Sequence, residues 1–311
     1  MKKVLSIRNL QKSYKEKKAV KGISFDVFEE EVLCFLGPNG AGKTTTINIL
    51  AGILNEDHGE ISYRGEPFKN VLRKYKSELG IVPQDMAIYE EISALNNVKF
   101  FASLYGLKGE ALETAALDAL KRVGLYNVRK DKPKTFSGGM KRRLNIACGV
   151  AHKPSLVIFD EPTVGIDPQS RNHILSYIKS LKEEGVTVVY TSHYMEEVEE
   201  ISTRIIIIDY GEIIAIGTKE ELKETLGDTD RYTIDVDNGR IDTEKFYAID
   251  GIKDVAYKDG KLSMDVIRGV DSLDKVVAEL IDQDIKLNSL NKESDTLERV
   301  FLNLTGHSLR A

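Results

Sequence analysis

Val32-Leu-Cys-Phe-Leu36, followed at once by Gly37-Pro-Asn-Gly-Ala-Gly-Lys-Thr44, decides the fold of this 311-residue chain. The first five residues are a continuous apolar run, too short for a helix and without polar alternation, which predicts a strand buried on both faces. Thr44 to Leu54 then reads as a helix. A buried strand, a glycine-rich turn and a helix open an α/β unit with a mainly parallel sheet. The turn fits G-x-x-x-x-G-K-[ST] at every fixed position. Glycine lets the backbone wind tightly enough for successive N–H groups to point inward and cradle an anion. The residues expected at a nucleotide's phosphates are therefore Gly37, Pro38, Asn39, Gly40, Ala41 and Gly42, with Lys43 as a point charge and Thr44 and Thr45 at the helix start. The Thr44 hydroxyl is suited to Mg²⁺.

Two further apolar runs end in polar residues. Leu156-Val-Ile-Phe-Asp160-Glu161 reads as a strand ending in adjacent carboxylates, Asp160 for a metal and Glu161 to polarise an attacking water. Val186 to Tyr190 ends in Thr191-Ser192-His193. A histidine at the carboxyl edge of a parallel sheet faces the ligand crevice and can bond a γ-phosphate. The remaining histidines, His58, His152, His173 and His307, have no such company and read as structural or surface residues. Neither they nor Cys34 and Cys148 have metal-ligand spacing, and both cysteines read as reduced core residues.

Elsewhere, Val4 to Leu10 and Gly22 to Phe28 alternate like antiparallel strands around a lysine-rich turn. Glu90 to Gly124 is mostly helical by spacing, with Ala111 to Val123 as a second amphipathic segment; Ser137 to Val150 and Arg171 to Glu184 are further helices. Arg204 to Asp209 and Glu212 to Ile216 form a hairpin. After Gly227 the pattern changes to short strands (Arg231 to Val236, Ile252 to Tyr257, Lys261 to Val266, Ile285 to Leu290) with helices at Ser272 to Asp282 and Thr296 to Leu304. That is enough for a small α+β domain. A net charge of -5, with 41% hydrophobic and 30% charged residues, argues against a nucleic-acid binder, which needs a basic stripe. The N-terminal residues lack the apolar core of a signal peptide, and no stretch approaches the roughly 18 apolar residues of a membrane span.

Phe136-Ser137-Gly138-Gly139-Met140-Lys-Arg-Arg-Leu144, between the helical region and the Asp-Glu strand, resembles the signature of ABC transporter ATPases. Physically it is a second anion cradle at a helix N-terminus. The resemblance implies two subunits, a homodimer or a heterodimer, paired head to tail around two Mg-ATP, with Ser137, Gly138 and Gly139 acting in trans. It also implies Tyr14 as the aromatic that stacks on adenine, Val20 packed beside it, and Gln84 contacting Mg²⁺ and water. Asp167 belongs to the loop crossing the dimer interface, and His193 is the switch histidine. The implied architecture is a P-loop ATPase domain over 1–225, with an antiparallel β subdomain and a helical subdomain at about 85–150, then a C-terminal domain over 228–311 for dimerisation or regulation. Met140 stands where the family usually has glutamine, which removes that amide's interface hydrogen bond. The stretches Ile88 to Ser93, Phe100 to Leu107 and Leu297 to Gly306 are similar to the drug- and antibiotic-exporter branch. That branch keeps its permease on a separate chain, so the implied location is the cytoplasmic face of the membrane. The alternatives are a soluble ABC ATPase, which usually carries two ATPase domains or coiled-coil insertions, and a nucleotide switch, which would lack Glu161 or His193.

Overall fold

The computed structural model describes residues 2–237, 241–293 and 295–306; His307 lies outside the described residues. By its contacts the chain divides into a larger unit, Met1–Lys219 together with the segment from Leu304, and a smaller one, Glu220–Asn303.

The glycine loop leaves the strand Val32–Leu36, in a six-stranded sheet ordered Glu212–Gly217, Arg204–Asp209, Val32–Leu36, Thr187–Ser192, Leu156–Asp160, Leu79–Val82. Every neighbouring pair is parallel except the Glu212–Gly217 edge. Parallel strands are covered on both faces, which is why their sequences run apolar without alternation. Val32–Leu36, Leu156–Asp160 and Thr187–Ser192 are buried at every residue. Register pairs Leu36 with Ser192 and Asp160 with Thr191, so three strands end level at one edge of the sheet. Ligands bind at that carboxyl edge in open α/β sheets.

A separate antiparallel sheet, ordered Lys17–Phe28, Lys3–Tyr14, His58–Tyr63, Glu66–Pro67, packs apolar side chains against the same core. Its first two strands run further than expected. The lysine-rich segment is strand, not loop, up to a tight turn at Lys15-Glu16, where Lys15 adopts φ 53. Alternation makes this possible: Leu10, Val20 and Ile23 enter the core, whereas Lys17 and Lys18 stay in water. The helix after the glycine loop is shorter than expected, Lys43–Leu50, because the chain turns at Gly52 with φ 64. The sequence reading assigned no element to the helix Phe68–Glu78 or to Met195–Ile201.

Three helices, Ala94–Leu104, Gly109–Arg122 and Gly138–Val150, form the helical region that carries the Ser-Gly-Gly segment. In the smaller unit, Ile252–Lys258, Lys261–Ile267, Thr229–Val236 and Leu287–Lys292 make an antiparallel sheet in that order. Its core includes Ile234, Phe246, Leu262, Met264, Val276 and Leu280. The last strand starts later than expected because Ile285 closes the preceding helix: its N–H bonds the Leu280 carbonyl, and Asp284 turns with φ 57.

Candidate nucleotide-binding and hydrolysis site

The loop's shape depends on missing side chains. Gly40 and Gly42 have φ 84 and 105, and a Cβ on Gly42 would lie 2.6 Å from the Ala19 carbonyl oxygen. The loop is tied to the Asp209–Glu212 turn where the Gly211 N–H donates to the Ala41 carbonyl at 2.9 Å. Lys43–Leu50 begins with no side-chain cap and no acidic residue in its first turn. Its opening N–H groups and dipole thus suit an anion.

The expected catalytic residues meet beside this loop. Lys43, 3% exposed, donates from Nζ to the carbonyls of Gly37 at 2.8 Å and Pro38 at 3.2 Å, and pairs with Glu161 Oε1 at 3.1 Å. The other Glu161 oxygen lies 3.1 Å from His193 Nδ1. Glu161 adopts φ 44, a strained value for a residue with a Cβ. The turn that imposes it also separates the two adjacent acids, so that Asp160 continues the strand while Glu161 swings toward Lys43 and His193.

Asp160 Oδ1 accepts hydrogen bonds from Thr191 Oγ1 at 2.6 Å and Thr44 Oγ1 at 3.4 Å. Burial raises its pKa; those two hydrogen bonds oppose the shift, the neighbouring Glu161 charge adds to it and Lys43 opposes it. Thr44 and Asp160 are hard oxygen donors. Adjacent ligands on an octahedral Mg²⁺ at about 2.1 Å are about 3 Å apart, so this pair fits such an ion. Among the described residues no group of three or more His, Cys, Asp or Glu is placed to hold a metal alone. A Mg²⁺ shared with substrate phosphates and water needs no such group.

One cleft of about 350 Å³ has Tyr14, Lys17, Ala19, Asn39, Gly40, Gly42, Lys43, Thr44, Thr45, Gln84 and Glu161 on its wall; Gly37, Pro38, Ala41, Asp160 and His193 are not on that wall, and Asp160 and His193 join it through Thr44 and Glu161. Tyr14 is half exposed at its mouth, as a stacking platform requires. Val20 does not line it. That expectation is corrected: strand alternation turns Val20 into the core at 1% exposure, and Ala19 and Lys17 take the cleft side. A larger hollow of about 460 Å³ over Ser6, Arg8, Ile61 and Lys69 contains none of these groups.

Ser137, Gly138 and Gly139 are not on the wall of this cleft. Ser137 and Gly138 are exposed, and the Ser137 hydroxyl caps its helix by accepting from the Met140 N–H at 3.3 Å. Gly139 is buried against the next helix start; a Cβ there would lie 2.0 Å from Ser170 Oγ. Asp167, also exposed, caps that helix, accepting from the Ser170 N–H at 2.9 Å. Its pKa is lowered, first by that backbone hydrogen bond.

Three residues at the site were missed. Thr191 orders both acids, donating to Asp160 and accepting the Glu161 N–H at 3.0 Å. Arg142, on the helix after Ser137, donates to the carbonyls of Pro83 and Gln84. Glu197 collects three hydroxyls. Thr191 is legible as a hydroxyl at a buried strand end. Glu197 sits in a run with Glu196, Glu199 and Glu200, from which nothing in the sequence sets it apart, and gives no such signal.

A phosphate loop with a buried lysine, a carboxylate pair and a histidine at one sheet edge defines a P-loop nucleoside triphosphatase, and the chain belongs to the ABC transporter ATP-binding family. The ABC transporter family model matches residues 20–164, and an AAA-domain model, described as a putative AbiEii toxin of a type IV toxin–antitoxin system, matches residues 132–199. The chain is 46% identical over 315 residues to the linearmycin resistance ATP-binding protein LnrL of Bacillus subtilis (strain 168), covering 99% of this chain and 100% of that protein. It is 32% identical over 311 residues to the daunorubicin resistance ATP-binding protein DrrA3 of Streptomyces coeruleorubidus, covering 98% and 97%. Among solved structures, the dimeric post-hydrolysis ATP-binding cassette MJ0796 bound to ADP and phosphate aligns with TM-score 0.63 at 27% identity, covering 69% of this chain and 98% of that one. As a member of this family the protein is an ABC transporter subunit that binds and hydrolyses ATP. Among the described residues no helix is long and apolar enough to cross a membrane.

Proposed function

We propose that two copies of this chain, or one copy and a similar ATPase, sandwich two Mg-ATP and drive a separate membrane permease that exports a drug- or antibiotic-like substrate. The observation that carries this reading is the division of the anion-binding groups into two sites. Lys43 and the loop amides line the cleft, whereas Ser137, Gly138 and Gly139 stand exposed outside it. A second subunit would bring its Ser-Gly-Gly segment over the first subunit's cleft. Asp167, exposed at a helix start that packs on Gly139, would lie at the same junction. The likeness to the linearmycin and daunorubicin resistance proteins supports antibiotic export, and their designation as ATP-binding proteins supports a permease on another chain. The protein would then sit at the cytoplasmic face of the membrane through that permease. The smaller unit, shared in length with LnrL, would brace the dimer or regulate it.

In the reaction, the loop amides and Lys43 hold the phosphates, and Tyr14 stacks on the base. Thr44, Asp160 and Gln84 would hold Mg²⁺, which neutralises charge on the phosphate oxygens. Glu161 takes the proton from water. Its two oxygens are engaged by Lys43 and His193, which fixes the carboxylate before substrate is in place. His193 Nδ1 faces Glu161, so Nε2 is the ring nitrogen placed to meet the γ-phosphate. Most of the acceleration is positioning and charge stabilisation.

Glu161→Gln tests the scheme. Loss of a general base lowers turnover by about 10²–10⁴-fold. Light scattering of that variant with Mg-ATP is expected to show twice the subunit mass. Unchanged turnover would remove Glu161 from its role; a monomer with ATP bound would remove the sandwich. Co-purification of the native protein from membranes with a permease tests the partner.

A further inference from the structure

Glu197 lies four residues beyond His193 in the short helix Met195–Ile201, within the run Met195-Glu-Glu-Val-Glu-Glu200. Glu196 and Glu200 face solvent, but Glu197 is 1% exposed. Its Oε2 accepts three hydroxyl hydrogen bonds: Thr163 Oγ1 at 2.8 Å, Tyr190 Oη at 2.8 Å and Ser192 Oγ at 3.0 Å. Thr163 lies two residues after the catalytic Glu161, whereas Tyr190 and Ser192 belong to the strand Thr187–Ser192, which ends just before His193. Ser192 Oγ in turn accepts the Tyr194 N–H at 2.9 Å. A chain of hydrogen bonds therefore runs from Tyr194 through Ser192 to Glu197, holding the residues on both sides of His193.

We propose that Glu197 is a positioning residue: through Ser192 it fixes the turn Ser192–Tyr194 and thereby aims His193 at Glu161. The inference rests on the catalytic reading of His193 given above. A buried carboxylate is a costly way to fill space, since its desolvation must be matched by hydrogen bonds. The three bonds here go to the loop after one catalytic residue and to the strand before the other. All three also converge on one oxygen. An amide oxygen can occupy that place, so Glu197→Gln retains the whole set, whereas Glu197→Leu retains none.

The test is a double-mutant cycle on ATP turnover, with Glu197→Leu, Glu197→Gln and Ser192→Ala, each alone and combined with His193→Ala. Glu197→Leu is expected to lower kcat about 10-fold while the KM for ATP moves less than about 2-fold, the split that marks a loss of transition-state alignment. Glu197→Gln is expected to recover most of that loss. Ser192→Ala is expected to lower kcat about 3-fold. In the His193→Ala background none of the three is expected to lower turnover further. If the Glu197→Leu and His193→Ala effects multiply, or Glu197→Gln is as impaired as Glu197→Leu, the inference is overturned. Should Glu197→Leu fail to fold, Ser192→Ala carries the same cycle, and full turnover in Ser192→Ala overturns the inference. Full turnover in His193→Ala alone would instead overturn the catalytic reading, and the inference with it.

Discussion

Two regions of this chain are dense in charge, and they use it in opposite ways. Beside the phosphate loop, Lys43, Asp160 and Glu161 are at most 5% exposed. In the smaller unit, Lys292, Asp230, Arg268, Asp295, Arg299, Asp265 and Arg231 alternate in a ladder of ion pairs, with most members partly in water. The contrast is sharpest between two aspartates. Burial raises the pKa of Asp160, whereas in Asp230 the hydrogen bond from Lys292, aided by Arg268, overcomes desolvation and lowers it. A carboxylate whose pKa is raised opposes folding when ionised; one whose pKa is lowered favours it. On the proposed reading the Asp160 charge is held for chemistry at a cost to the fold, whereas the Asp230 charge is paired in place and favours the fold.

The largest effect expected is at Lys43. Lys43→Ala removes the buried lysine that pairs with Glu161, and turnover should fall by about 10²-fold or more. A variant that keeps near-native turnover would break the comparison, because buried charge would then not be serving chemistry.

Asp160→Asn separates function from stability. Turnover should be lost to a similar degree, yet the melting temperature in Mg²⁺-free buffer should rise, by about 2–4 °C. The folded-state pKa of Asp160 lies above its unfolded value. The native state therefore binds the proton more readily, and its stability contribution is present below about pH 4 and lost as pH rises through the folded pKa. The stabilisation by asparagine should accordingly be seen at pH 7 and vanish near pH 3. A melting temperature that falls at pH 7 would show that Asp160 is a structural residue.

His152 gives an intermediate case. Its ring stacks on Tyr105 with centroids 3.5 Å apart, and Nε2 meets the Leu79 carbonyl at 3.1 Å. Burial brings its pKa down to about 4. Between about pH 6.5 and pH 4 the unfolded chain takes up a proton that the folded chain refuses. Stability is present above pH 6.5 and lost as pH falls toward 4, at no more than about 1.4 kcal/mol per pH unit. His152→Gln should flatten that slope in denaturant titrations. An unchanged slope would assign the acid sensitivity to other groups.

The difference between the regions also governs what the sequence discloses. Val32–Leu36 and Leu156–Asp160 are legible because burial on both faces writes a continuous apolar run, and the loop because glycine is needed where φ is positive. Phe68–Glu78 carries Phe68, Val71, Leu72 and Tyr75 at helical spacing, but lysines and an arginine between them dilute the stripe. Val20 shows the limit of carrying a role over by motif, since the neighbouring Ala19 is the one that strand alternation turns toward the cleft. Glu197 is invisible for a different reason: burial of one glutamate in a run of five acidic or apolar neighbours depends on which helix face meets the core, and that is settled by tertiary packing. The ladder is hidden likewise, because all its pairs except Arg299–Asp295 join residues far apart in the chain.

The ladder itself yields the smallest effect. Asp230 accepts from both Lys292 and Arg268, so Asp230→Asn removes two ion pairs at once. Exposed pairs contribute little, since ordering long side chains and screening by ions offset the attraction. The expected loss is under about 1 kcal/mol in low salt, and it should shrink further near 1 M NaCl, where the screening length is about 3 Å. Asp230 has a lowered folded pKa, so its contribution is present above the unfolded pKa and lost as pH falls below about 4. ATP turnover should not change. If Asp230→Asn proved as costly at high salt as at low, the ladder would be a packing element in which charge is incidental, and the contrast with the cleft would have to be drawn on burial alone.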